Sequence, residues 1–385
     1  MVRIGVPIRK LTHWNIEFRR RVRTRKDLER KISLSPAEIE FFDRLEASQN
    51  KAVQEQAARE SGSGTTGVPG GIIPLAVPNY YLSLLGSDPA DPLRLQCIPR
   101  VEEWEAGPLE TEDPLGDRMY SPVSRLVHRY RDRALLLVTD QCVMNCRFCF
   151  RRHFVGKTQG TIRQSELDHV IDYLKTHPEV KELILSGGDP LSLSDERLFA
   201  IVDTLRFHRP GIVLRVSSRL PVVLPSRITR RFAYQMRSRQ PFWFVLHVNH
   251  PRELAPEADL ALKRLADAGV PLLSQTVLLR GVNDDVQTLE ELFRSLTARR
   301  VKPYYLFHAD LARGTSHFRV PLERGMDLVR GLKSRLSSLA LPGYALDLPG
   351  GGGKVSLMDS PPMREEEGEW IFLSPEGQEY RYPKE

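Results

Sequence analysis

From Arg133 onward the chain alternates short apolar runs with longer segments whose apolar residues recur every three or four positions. The short runs are ALLLVT (134–139), ELILS (182–186), IVLRVSS (212–218), FWFVLHV (242–248), PLLSQTVLL (271–279) and KPYYLFH (302–308). Their length and their β-branched and aromatic content predict strands, and strands apolar on both faces belong to a parallel sheet covered by helices. The longer segments predict those helices: Gln164–Thr176, SDERLFAIVDTLRFH, 227–237, PEADLALKRLADAG, DVQTLEELFRSLTARR and ERGMDLVRGLKSRLSSL. Six strand–helix units fall short of the eight that close a barrel. The expectation is an α/β fold, an open partial (β/α)6 barrel with a lateral gap that admits a sizeable substrate. A further strand-like piece, YALDL (344–348), leads into a glycine run, and WIFLSPEGQEYRYP (370–383) reads as a terminal hairpin around Pro375–Gly377.

Upstream the pattern is helical. Residues 1–31 carry eleven Lys or Arg against three Asp or Glu, and Trp14, Phe18 and Val22 recur at helical spacing, which predicts an amphipathic helix with a basic outer face. Ser35, Pro36 and Glu38 form a capping box with proline at the first helical position, so a helix should run to about Arg59. SGSGTTGVPGG (61–71) reads as a flexible linker. The expected division is a helical region over 1–120, a barrel over 121–350 and a glycine loop with hairpin over 351–385.

The chain has 385 residues, 41% of them hydrophobic, which is ample for one large core. The formal charge of +7 is compatible with nucleic acid, but it comes from the arginine-rich start and scattered helix faces, and a solvated face is the preferred reading. No signal-peptide pattern and no 18-residue apolar run is present, so a cytoplasmic protein without a membrane span is expected. Four cysteines, three of them in one motif, argue for a reducing compartment.

The chemistry clusters where strands end, which is where parallel folds place ligands. After the first strand comes TDQCVMNCRFCF, with Cys142, Cys146 and Cys149 spaced C-x3-C-x2-C. Three thiolates so spaced can hold three irons of an iron–sulfur cube and leave the fourth open, whereas ferredoxin cubes use four cysteines and structural zinc wants four closed ligands. The second strand ends in Ser186, Gly187, Gly188, Asp189 and Pro190, where glycines allow close backbone approach and an acid can orient an amine. The third ends in Ser217, Ser218 and Arg219, and His247 lies near the end of the fourth. Gly350 to Gly353 precede Lys354; this is no P-loop, because the Ser or Thr after GK is missing. Spacing alone leaves a phosphate contact, a surface loop and an imine-forming lysine equally open.

The triplet followed by Phe150 resembles the signature of radical S-adenosylmethionine enzymes. From about Tyr80 the chain closely resembles the lysine 2,3-aminomutase family, through YYLSL, EDPLGD, SPVSRLVHRYRDRALLLVTDQC, LSGGDPL, SSRLPVVLPSRIT, LADAGVPLLSQTVLLRGVND, KPYYLFHADLARGTSHFRVP and DLPGGGGK. The resemblance implies the radical S-adenosylmethionine type of partial barrel, and a [4Fe–4S] cluster on Cys142, Cys146 and Cys149. It implies S-adenosylmethionine beside Gly187, Gly188, Asp189, Ser217 and His247, and pyridoxal 5'-phosphate joined to Lys354 as an imine. Arg129, Tyr130, Arg133 and Gln275 match cofactor-pocket residues. Arg151 matches the arginine on the substrate carboxylate, and Asp310 and Asp347 match two acids that hold the distal ammonium of lysine. The implied activity is conversion of L-lysine to L-β-lysine, fed by a flavodoxin- or ferredoxin-like electron donor and with a homo-oligomer possible.

Two acids disfavour glutamate as substrate but suit arginine as well as lysine, so an aminomutase on another basic amino acid is the alternative. A basic nucleic-acid-binding protein is the reading from a different class. The chain departs from the family at Phe148, where histidine is usual. It ends without the family's cysteine-rich extension and has Asp285 where a zinc-binding cysteine would stand, so no zinc is expected. Cys97 is read as a small buried hydrophobe.

Overall fold

The computed structural model describes residues 13–58, 72–107, 109–156, 159–358, 364–367, 369–373 and 379–383. Among the described residues the main sheet holds nine strands in chain order. They are β1 (Leu126–Tyr130), β2 (Arg133–Thr139), β3 (Glu182–Gly187), β4 (Val213–Ser218), β5 (Phe242–His247), β6 (Leu272–Leu278), β7 (Lys302–His308), β8 (Gly343–Leu348) and β9 (Gly353–Ser356). β2 to β8 run parallel, while β1 and β9 pair antiparallel at the two edges. The six expected strand–helix units are present, with covering helices Gln164–Thr176, Asp195–His208, Arg230–Arg237, Pro256–Asp267, Val286–Ala298 and Leu322–Lys333. The first and last strands do not pair with each other, so the barrel is open and partial, as expected.

The strands differ from the expectation on one face. Along β3, Leu183 and Leu185 are fully buried under the helices, while Ile184 and Ser186 keep some exposure. β4 and β6 alternate in the same way. Side chains alternate faces along a strand, so one face packs in the core and the other lines a hollow lumen. Burying each core-facing Leu or Val contributes about 1.5–3 kcal/mol, which makes the outer layer the main source of stability. The lumen face is thereby free to carry chemistry.

Helix starts follow their caps. Ser194 accepts from Arg197 N–H (3.3 Å) and Thr229 from Phe232 N–H (3.0 Å). Asp285 accepts from Thr288 N–H (2.8 Å), so it caps the helix Val286–Ala298.

The upstream region departs further. The single helix expected over 1–31 is two short helices, His13–Arg19 and Arg25–Glu29, and residues 1–12 lie outside the described residues. Between them Val22 exchanges backbone hydrogen bonds with Val77 (2.8 and 3.0 Å) and is buried, so a tertiary bridge overrides helical spacing there. The helix Pro36–Ala58 forms as expected. Its capping box is half made: Glu38 accepts from Ser35 N–H (2.7 Å), but the Ser35 hydroxyl has no partner among the described residues. Glu38 is fully buried and also takes Arg94 in two bonds of 2.7 and 2.6 Å. The linker expected over 61–71 lies outside the described residues. At the other end the sheet continues past residue 350 into β9. The expected hairpin has a third strand: β10 (Arg364–Glu366), β11 (Glu369–Leu373) and β12 (Glu379–Pro383) form an antiparallel sheet, with the Pro375–Gly377 turn outside the described residues. Among the described residues no helix is long and apolar enough to cross a membrane.

Candidate active site

A cavity of about 330 Å³ occupies the lumen, and every candidate site residue named above lines it. The cysteine loop follows β2, next to one edge of the sheet, and Lys354 belongs to β9 at the opposite edge.

The cysteine loop follows β2 and is shaped by contacts that need no metal. Arg147, almost fully buried, gives two 2.7 Å bonds to Glu103 and a third to the Ile73 carbonyl (3.1 Å). Asn145 N–H donates to the Ala76 carbonyl (3.0 Å). Burial pushes the Cys142 thiol well above its ordinary value, with Asp189, Cys149 and Cys146 adding to the rise. Burial and Cys146 push Cys149 up to about 11. Three half-buried sulfurs on one loop, with the Cys142 and Cys149 thiolates disfavoured, suit a bound polycation, which stabilises thiolates outright. The donor set therefore fits an iron–sulfur cluster.

Gly187 and Gly188 are required by this loop. Gly187 has φ +124°, and a Cβ there would lie 2.2 Å from the Thr139 carbonyl oxygen; one on Gly188 would lie 2.3 Å from that of Gln141. The glycines thus seat the strand end against the cysteine loop, a closer reason than ligand approach. Asp189 is buried and accepts from Ser218 Oγ (2.9 Å), Arg219 N–H (2.8 Å) and Leu191 N–H (3.0 Å). Burial raises its carboxyl to about 6, with those donors opposing. Ser217 sits on the lumen face of β4, and His247 ends β5 with its ring edge-on to Phe148 at 5.6 Å. Burial, then Arg219, lowers His247 to about 3, so its ring is neutral.

At the far edge β8 and β9 are joined by the glycine run, which is a tight reversal. Gly350 and Gly351 have φ of +64° and +85°, and a Cβ on Gly351 would strike the Tyr120 ring at 2.2 Å. The register sets Asp347 opposite Lys354, with Nζ 4.0 Å from Oδ2. The amine lies over the rings of Tyr305 (4.2 Å) and Phe307 (4.1 Å). Burial lowers Lys354 to about 8, Asp347 opposing and Arg215 and Arg133 assisting. Burial, then Asp347, raises Asp310 to about 7, and burial also raises Asp347.

β1 supplies Arg129 and Tyr130. Arg129 donates to the Leu115 carbonyl and to Asp117 (3.2 Å). Arg151 donates to the other Asp117 oxygen (3.0 Å) and to Ser186 Oγ (3.2 Å). Arg133 pairs with Asp132 (3.0 Å) and stacks over Tyr130 at 4.0 Å, and Gln275 projects from β6 beside His247 in register.

Around this cavity Arg129 Nε, the Tyr130 hydroxyl, Arg215 Nε and His247 Nε2 are buried without a partner among the described residues. Each such group costs about 1–3 kcal/mol. A lysine whose amine is lowered to about 8 and lies over two aromatic rings, with Arg129, Arg133 and Arg215 in the same lining, fits a phosphate-bearing aldehyde such as pyridoxal phosphate.

Sequence reasoning missed Asp117, Arg215, Tyr305 and Phe307 as site residues. Asp117 ends the EDPLGD motif, and Tyr305 and Phe307 are two apart on β7; period-two reading of the strands would have found that pair. Arg219 was noted as a strand end but given no role. Its guanidinium donates to the Cys146 sulfur at 2.9 Å.

The radical SAM superfamily model matches residues 136–294. The chain is 45% identical over 285 residues to an L-lysine 2,3-aminomutase of Clostridium subterminale, a match covering 74% of this chain and 68% of that one. It is 37% identical over 365 residues to that of Acetoanaerobium sticklandii, covering 94% and 82%. It is 36% identical over 284 residues to a glutamate 2,3-aminomutase of Clostridioides difficile, covering 74% and 67%.

Proposed function

The chain belongs to the lysine 2,3-aminomutase family of radical S-adenosylmethionine enzymes, and we propose on that footing that it converts L-lysine to L-β-lysine by moving the amino group from C2 to C3. One observation carries the choice of a basic side chain over glutamate: Asp310 and Asp347 share the lumen, and burial raises both carboxyls. Two neighbouring acids are costly to ionise together, even with Lys354 4.0 Å from Asp347, and a substrate ammonium between them relieves that cost further. A glutamate side chain would bring a third carboxylate to the same place.

The family's cofactors are a [4Fe–4S] cluster, S-adenosylmethionine and pyridoxal phosphate. When bound, they supply a 5'-deoxyadenosyl radical that removes and returns hydrogen, and a carbonyl that carries the amino group. Cys142, Cys146 and Cys149 would hold the cluster, and Lys354 the aldehyde carbon. Arg129 and Arg133 are suited to the phosphate, with Tyr130 and Gln275 beside them. Gly187, Gly188, Asp189, Ser217 and His247 would line the S-adenosylmethionine site. Arg151, whose Nε and one terminal nitrogen donate to Asp117 and Ser186, keeps its other terminal nitrogen for the substrate carboxylate. The work of these residues is to fix the reacting carbons and exclude water. A low-potential donor of the flavodoxin or ferredoxin class, a cytoplasmic setting and a homo-oligomer belong to the same proposal, the last checked by sedimentation.

The test is kinetic. Truncating one partner of a buried, hydrogen-bonded charge pair costs roughly 2–5 kcal/mol. Asp310→Asn and Asp347→Asn should each lower kcat/KM for lysine by about a hundredfold or more, at about 1.4 kcal/mol per tenfold. Iron content and pyridoxal loading should survive. Parental lysine kinetics in a fully loaded variant would remove that acid from the substrate pocket.

Asp117 holds Arg151 and Arg129 through its two oxygens, and so sets the spacing between substrate-carboxylate and phosphate contacts. Asp117→Asn should therefore raise the lysine KM and the pyridoxal phosphate Kd together, each by about tenfold or more. Absorbance titration and steady-state rates read the two; a change in neither would make Asp117 a bystander.

A further inference from the structure

Arg219 follows β4 and is buried beside the cysteine loop. One terminal nitrogen donates to the Cys146 sulfur at 2.9 Å. The other donates to Glu253 (2.7 Å) and Gln96 (2.5 Å) and meets the Tyr81 hydroxyl at 3.4 Å. Glu253, Gln96 and Tyr81 are themselves fully buried. Tyr81 also donates to Glu253 (3.1 Å), and Asn249 donates to Gln96 (3.0 Å). The guanidinium is thus pinned on the side away from the sulfur and cannot swing off it without stranding a buried carboxylate. Such a network is more than a loop tether needs, because the loop already has Arg147 and Asn145.

We propose that Arg219 is a positioning residue for the cluster, held by Glu253, Gln96 and Tyr81 so that it donates to the Cys146 sulfur and raises the cluster's reduction potential. The proposal rests on the reading that the three cysteines hold an iron–sulfur cluster. An added electron places negative charge on the cluster and its sulfurs, and hydrogen bonds to sulfur and nearby positive charge favour the reduced form. Glu253 lies behind the guanidinium, farther from the sulfur, so its opposing effect is the smaller one. It nonetheless fixes a predicted sign: neutralising it leaves the arginine charge uncompensated.

The experiment is a redox titration of anaerobically reconstituted holoenzyme followed by electron paramagnetic resonance, without substrate, at matched iron content. Parent, Arg219→Gln, Arg219→Lys and Glu253→Gln are compared at the potential where the parent is half reduced. In Arg219→Gln the reduced-to-oxidised ratio should fall about tenfold, equivalent to about 59 mV for one electron. Arg219→Lys should recover most of it, and Glu253→Gln should move the ratio the other way. A loaded Arg219→Gln with the parental ratio overturns the proposal. So does a Glu253→Gln ratio that is unchanged or lowered, which decides the matter even where Arg219→Gln fails to hold iron. A parent that binds no iron overturns the cluster reading itself, and iron analysis separates that outcome from the others.

Discussion

Replacing Cys142, Cys146 or Cys149 by alanine is expected to abolish both the cluster and turnover. Each thiolate would hold one iron, and with two ligands left the cube would have no secure seat on the protein. The loss should be chemical and not a loss of fold. The loop is held by the bonds from Arg147 to Glu103 and Ile73 and from Asn145 to Ala76, and none of them involves a cysteine side chain. Parental circular dichroism and elution volume should therefore accompany near-zero iron and a visible spectrum without the cluster's charge-transfer band. Cys97 is the control. It is fully buried, its thiol pushed up by burial and directed to the Leu93 carbonyl at 3.5 Å. Cys97→Ala should keep iron and activity. Full iron content and turnover in any one of the three loop variants would sink the cluster assignment.

The second large effect belongs to Lys354. Lys354→Ala should lower turnover by about 10³-fold or more, the scale of losing a positioned proton-transfer or nucleophilic group. Borohydride reduction of the loaded parent, followed by peptide mapping, should place the pyridoxyl adduct on Lys354. The pH dependence has a definite sign. Only the neutral amine attacks a carbonyl, and burial lowers Lys354 to about 8. At pH 7.5 an amine of that value is about a quarter neutral, against about 0.1% for an ordinary lysine. Cofactor uptake should rise about tenfold per unit below pH 8 and level off above it. Asp347 opposes the lowering, so Asp347→Asn should move the inflection to lower pH. An inflection near the ordinary lysine value, or an adduct on another lysine, would exclude this role.

The strand–helix alternation was legible because its strands are short apolar runs and its helices are amphipathic; the helix expected around 164–176 forms as Gln164–Thr176. The lumen face was not legible. Val245 and Val277 look like core residues in sequence, yet they line the cavity, because apolar pattern reports burial from water and not which side of a barrel a residue faces. β9 has four residues, too few for a period, and exists through its register with β8. Spacing leaves the glycine run open between a surface loop and a ligand contact, and only tertiary packing against Tyr120 marks it as a tight reversal. Val22 had helical spacing but pairs with Val77, fifty-five positions away, a contact no local pattern encodes. Cys142, Cys146, Cys149, Gly187, Gly188, Asp189, Ser217 and His247 stood out as motifs at strand ends, where parallel topology gathers distant segments, whereas Arg129, Tyr130, Arg133, Gln275, Arg151, Asp310 and Asp347 came from the family resemblance. Asp117 escaped because its role is to hold two arginines that are far from it in sequence.

The most direct measurement uses lysine labelled with ¹⁵N at the α-amino group. Protein reconstituted anaerobically with iron, sulfide, S-adenosylmethionine and pyridoxal phosphate is reduced and followed by nuclear magnetic resonance. Conversion of L-lysine to L-β-lysine by 2,3-migration requires the label to appear on C3 of β-lysine, without release to free ammonia. Unchanged lysine in a fully loaded protein that rearranges arginine or glutamate, or loss of the label to solvent, would defeat the assignment.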